Sequence, residues 1–167
     1  MAKEKVPPTD RIASSFQQLA LHSSELNQSA QQLSTAVSSF ETLLRRIGVS
    51  VPAWHCIAGQ EEGPSYWTRD IGYSQFGDDW KVALRRTSGQ YDDPESHFEK
   101  IWLFALAPKW MAVEAAGKLP DLVDELIKRT IETNAKMKAR TTETIELESA
   151  IAQLYDKPVA ATKSEKR

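Results

Sequence analysis

Apolar positions in the first third of the chain recur at alternating steps of four and three residues. Ile12, Phe16, Leu19, Leu26, Leu33, Val37, Phe40, Leu44 and Ile47, with Ser23 and Ala30 between them, form one continuous heptad seam. Such a stripe is poorly placed in water, so residues 12–47 are predicted to form a helix packed against a partner surface. Thr9 or Asp10 suits its N-cap, Arg45 and Arg46 oppose the negative end of its dipole, and Gly48 stops it. With Leu19, Leu26 and Leu33 at d, the small residues Ser23 and Ala30 fall at a and favour close approach of a neighbouring helix. The flanking positions hold Ala, Ser, Asn and His in place of opposed Glu and Lys. A free-standing zipper is therefore disfavoured, and enclosure by more than one neighbour is expected.

From Val49 the period changes to two. A first strand places Trp54, Cys56 and Ala58 on one side and His55 and Ile57 on the other, with Cys56 read as a small core residue. Residues 60–65 make a turn, and residues 66–76 a second strand with Trp67, Arg69, Ile71 and Tyr73 on one face. Gly77-Asp78-Asp79 leads into a third strand, residues 80–86, with Trp80, Val82 and Leu84 inward. A polar loop over residues 87–96 precedes a fourth strand, residues 97–107. Its segment 101–106 is apolar on both faces, which predicts a central, buried strand. No crossover helix separates the four segments, so the sheet is an antiparallel meander.

Pro108 opens a short helix ended by Gly117, and Pro120 opens a long one reaching Tyr155. The fold class expected is α+β: a long N-terminal helix, a four-stranded antiparallel meander, a short helix and a long C-terminal helix. The two long helices are expected to pack antiparallel as a stalk. In domain terms residues 1–10 are a disordered lead-in, 11–48 the heptad helix, 49–107 the β-meander head, 108–155 the two later helices and 156–167 a disordered basic tail, one structural domain in all.

Composition narrows the function more than it assigns one. Over 167 residues the net charge is -2, and residues 49–107 hold five Lys and Arg against nine Asp and Glu, which argues against nucleic acid as partner. The single cysteine, Cys56, leaves no partner for an intramolecular disulfide, and the N-terminus has no apolar core of a secretory signal, so a cytoplasmic location is expected. No apolar run is long enough to span a bilayer. A membrane-surface role for the weakly charged helix face at residues 14–40 is the least favoured of three readings.

Candidate chemistry is sparse. His55 and Cys56 are adjacent on a strand and point to opposite faces, so they cannot act as a pair. Asp92, Asp93, Glu95 and His97 carry metal-ligand donors but match the composition of a turn, and no metal or cofactor is expected. Phosphate-cradling glycine loops, dinucleotide fingerprints, nucleophile elbows and His-Glu-x-x-His pairs are absent, and no catalytic residue is proposed. Arg69, Lys81, Arg85, Arg86 and Lys100 fall on strands; they can gather against an anion or pair with Asp70 and Glu99 across the sheet.

The leading expectation is a non-enzymatic interaction protein. It self-associates, as a dimer by preference, through its long helices, with Leu19, Leu26, Leu33, Val37 and Phe40 as the oligomer seam. Its aromatic-rich sheet then faces a protein partner. The alternative is a binder of a small anionic ligand, or an enzyme, using Trp67, Arg69, Tyr73, Arg85 and Trp102.

Overall fold

Helix α1 spans Pro8–Arg46 and begins three residues before the predicted start at residue 11, with proline in the first turn where its missing N–H costs nothing. The computed structural model describes residues 8–155, so the expected lead-in, apart from its last three residues, and the basic tail lie outside the described residues. Strands β1 (Ala53–Glu62), β2 (Ser65–Phe76), β3 (Asp79–Gln90) and β4 (Asp93–Leu103) follow, then a 3-10 turn (Phe104–Leu106), α2 (Lys109–Ala116) and α3 (Leu119–Tyr155). The chain is α+β, and the four strands form one antiparallel sheet in the order β1-β2-β3-β4.

β3, at residues 79–90, extends well past the 80–86 that the apolar pattern indicates, and β4 lies four residues earlier than expected. Turns narrow to Gly63-Pro64 and Gly77-Asp78, with Gly63 and Gly77 at φ 60° and 62°, a conformation that glycine adopts without steric cost. The expected loop at residues 87–96 is mostly paired strand, because ladder hydrogen bonds need backbone and not apolar side chains. The Tyr91 amide then bonds the Pro64 carbonyl at 2.9 Å, tying the two hairpin tips together.

Two expectations are corrected. Residues 101–106 do not form a central strand: β4 is an edge strand that ends at Leu103, and Ile101 and Leu106 are exposed. Only Phe104 from the following turn enters the core, because the chain leaves the sheet there to reach α2. Cys56 is not a core residue either. Ala53 is the buried position of β1, so alternation turns Trp54 and Cys56 outward, and an irregularity between Cys56 and Ala58 shifts the phase.

The core lies on one face of the sheet. Ile71 and Tyr73 of β2 and Val82 and Leu84 of β3 are fully buried there, under Val37 and Leu44 of α1, Met111 and Ala115 of α2, and Leu122 and Leu126 of α3. Two compact units divide the chain, Met1–Leu126 and Ile127–Arg167, with the boundary inside α3. In the first unit the α1 seam is buried only toward its C-terminal end: Val37 and Leu44 are buried, whereas Ile12, Phe16, Leu19 and Leu26 are 58, 67, 60 and 51% exposed. In the second unit Ile127, Ile131, Met137, Ile145, Leu147, Ile151 and Leu154 are exposed as well. Packing within each unit thus satisfies only part of its own apolar stripe.

α1 is fixed by one buried carboxylate. Glu41, 6% exposed, accepts the Val82 N–H at 2.8 Å and lies 3.8 Å from the Lys81 ammonium. Val82 sits one residue beyond the last β3–β4 pair, Ala83 with Leu103, so Glu41 serves an amide that β4 does not reach. Replacing Glu41 by Ala leaves that amide unpaired, and urea unfolding is expected to show a loss of about 1.5–3 kcal/mol. Glu41→Gln, which keeps an acceptor, should recover much of it.

Candidate functional site

The residues that the sequence offered for ligand or partner binding divide between the two faces of the sheet. Cross-strand register puts Ile71, Leu84 and Trp102 in one row and Arg69, Arg86 and Lys100 in the next on the same side, with Trp67, Ser88 and Phe98 beyond them. This is the face that also carries the core. Arg85 pairs with Asp70 and Ile101 on the opposite, outer face. Tyr73 is fully buried and stacked on Trp80 with centroids 5.4 Å apart, so it belongs to the core and not to a surface. Its hydroxyl has no hydrogen-bond partner, and burial pushes its pKa up. Trp67, Arg69 and Trp102 remain together on the inner face; Arg85 and Tyr73 do not join them.

On the inner face Arg69 is held on three sides. Its guanidinium lies 4.9 Å from the centre of the Trp67 ring and 5.1 Å from that of Trp110, and it pairs with Glu114 of α2 at 2.9 Å. Arg69 therefore acts as the pin between β2 and α2. Arg86 and Lys100, next in the same row, are exposed and form no ion pair among the described residues; Lys100 folds its ammonium over Trp102 at 5.0 Å. The site expected from the sequence includes Arg85 and not Arg86. Counting by two from Val82 and Leu84 puts Arg86, not Arg85, in phase with the inner face, so the signal was present in the sequence. Trp110 could not be found that way, because it reaches the site from a helix.

The outer face has its own cluster. The Trp54 ring lies flat over Gly72, where an added Cβ would come within 2.3 Å of ring carbons. Arg85 caps that ring at 4.4 Å and donates from Nε to Asp70 at 3.0 Å. Cys56 is next to this pair. Partial burial, then the negative charge of Asp70 and a hydrogen bond to it, push the Cys56 thiol above its ordinary pKa. That protonated state is unsuited to a nucleophile. Neither His55 nor His97 is turned toward it as a base: His55 faces Asp121 at 3.6 Å on the inner side, and His97 bonds the Tyr66 hydroxyl at 2.8 Å.

The acidic turn behaves as a turn. Asp93 accepts the Glu95 amide at 3.1 Å and the Ser96 hydroxyl, through its backbone carbonyl, at 2.7 Å. Of the sheet cations, Arg85 alone pairs with a sheet carboxylate; Lys81 and Arg69 turn to Glu41 and Glu114 of helices. No helix among the described residues is long and apolar enough to cross a membrane.

A groove of about 610 Å³ runs between α1, the 3-10 turn and α2. Leu26, Ala30 and Leu33 of the seam form one wall, and Leu106, Ala112 and Val113 the other. A bond from Lys109 to the Asn27 side chain bridges it. The chain matches no protein-family model, no curated protein and no solved structure.

Two outcomes test the outer face. Alkylation of Cys56 by iodoacetamide should rise with pH along a curve whose midpoint lies above that of a free cysteine, since the thiolate is the reacting form; Asp70→Asn should move the midpoint down. Gly72→Ala should displace the Trp54 ring, seen as a shift in tryptophan emission, with a stability loss of about 1–3 kcal/mol in thermal unfolding.

Proposed function

We propose that this chain is a non-enzymatic binding protein whose long helices join copies of it, as a dimer, and leave its aromatic sheet to face a partner. The observation that carries the reading is the exposed half of the α1 seam. Ile12, Phe16, Leu19 and Leu26 keep strict heptad phase and each remains more than half exposed. Burying large side chains that are already half covered gains about 1 kcal/mol each, so the four from each of two copies gain on the order of 8 kcal/mol. Association costs about 4–15 kcal/mol, and the exposed stripe of α3 supplies further apolar surface toward that cost.

The groove beside α1 supports a second copy as the occupant. It shares Leu26, Ala30 and Leu33 with the seam and continues onto Leu106 and Val113, which are 74 and 63% exposed. A partner helix laid on the seam thus meets apolar surface on two sides, which fits flanks that lack the paired charges of a two-stranded zipper. The lone cysteine suits a reducing compartment, and we place the protein in the cytoplasm. A binding role fits a site whose thiol is held protonated and whose histidines are engaged elsewhere.

Light scattering on the full chain should give twice the 18.8 kDa monomer mass at micromolar concentration, and Leu26→Asp should return it to the monomer. A monomeric parent whose mass is unchanged by Leu26→Asp overturns the reading.

A further inference from the structure

The inner face of the sheet sets three cations in one row. Arg69 of β2, Arg86 of β3 and Lys100 of β4 are direct cross-strand neighbours, about 5 Å apart at their Cβ atoms. Like charges placed directly opposite on a sheet are destabilising. Arg69 is neutralised by Glu114 and wedged between two indole rings, so its charge is accounted for. Arg86 and Lys100 have no carboxylate among the described residues, and the nearest sheet acid, Glu99, projects from the other face. Two positive charges thus stand side by side with no carboxylate among the described residues, the Lys100 ammonium 5.0 Å from the centre of the Trp102 ring.

The surroundings limit what can sit there. On β4, Phe98 and Trp102 flank Lys100 on the same face, Phe98 being 52% exposed, so an aromatic surface borders the charged pair. On the β2 side Trp110 and Glu114 of α2 close the row. At the hairpin tips Glu61, Glu62, Asp92, Asp93 and Glu95 form an acidic rim that opposes a polyanion running along the strands. The row is therefore finite, with a charge of two to neutralise.

We infer that Arg86 and Lys100, backed by Phe98 and Trp102, bind a phosphate monoester dianion carried on an aromatic body. The guanidinium fork and the ammonium share the phosphate oxygens, and the aromatic body lies on the β4 rings. The arrangement explains why the sheet carries a like-charge pair: the anion that relieves it is the ligand. This inference is independent of the helix-mediated dimer, since it involves neither the seam nor the groove.

The experiment is titration of the full chain at low salt with adenosine monophosphate, with phenyl phosphate and with adenosine, followed by tryptophan fluorescence and calorimetry. Saturable binding of both phosphates is expected, with adenosine at least tenfold weaker. The double variant Arg86→Ser with Lys100→Ser should bind at least tenfold more weakly and melt at a higher temperature, because the repulsion is gone. Lys136→Ser with Arg140→Ser removes the same charge from α3 and should bind as the parent does. Equal affinity for adenosine and its phosphate, unchanged binding by the sheet variant, no saturable binding of either phosphate, or tighter binding of a twelve-residue thymidine oligonucleotide than of either phosphate would each overturn it.

Discussion

A single carboxylate of α1 completes a sheet that is one neighbour short. β4 ends at Leu103 to become the turn that reaches α2, so the start of β3 runs on paired with β2 but with no strand on its β4 side. The Val82 amide would then be a buried orphan, and Glu41 supplies its acceptor. The bond also fixes where α1 lies along the sheet. With Glu41 anchored at Val82, Val37 and Leu44, four residues before and three after it, face the core. At 1.5 Å per residue, Phe16 is then about 38 Å along the helix axis from the anchor, more than twice the width of four strands. The exposed half of the seam is a direct consequence of where that bond is made.

The sheet separates its chemistry by face. Alternation along β2 and β3 sends Ile71, Tyr73, Val82 and Leu84 inward, and it sends Arg69 and Arg86 to the same side, past the end of the hydrophobic cover. The outer face closes on itself: Trp54 lies over Gly72, Arg85 lies over Trp54, and Asp70 holds Arg85. Each of those contacts consumes a group that could otherwise recognise a ligand. The inner row leaves Arg86 and Lys100 without a carboxylate partner among the described residues. A segment that is net acidic in sequence thereby presents a local cationic patch, because its acids are gathered at the turns and on the other face.

The two surfaces left open differ in kind. The α1 seam and its groove are apolar and nearly uncharged, so the self-association proposed there would be driven by burial and respond little to salt. The inner row is charged and exposed, so the anion binding inferred there would weaken as salt is added. If both proposals hold, assembly through one surface would leave the other available, and ionic strength would separate the two.

The sequence by itself determined the element order, the fold class and the inward residues of β2 and β3, because long periodic stretches and two-residue alternation are local properties of the chain. The heptad helix, the glycine turns and the long final helix are read from spacing alone. It also contained, in the phase of Val82, Leu84 and Arg86, the information that Arg86 and not Arg85 joins Arg69. Only the tertiary structure decided which strand lies at the edge, since apolar residues at 101–106 look alike whether they enter a sheet centre or leave it for a helix. It alone brought Trp110 and Glu114 from α2 to Arg69, turned Cys56 outward, and placed Glu41 on the Val82 amide. Those contacts join residues up to 45 positions apart, and no local pattern specifies a pairing at that separation.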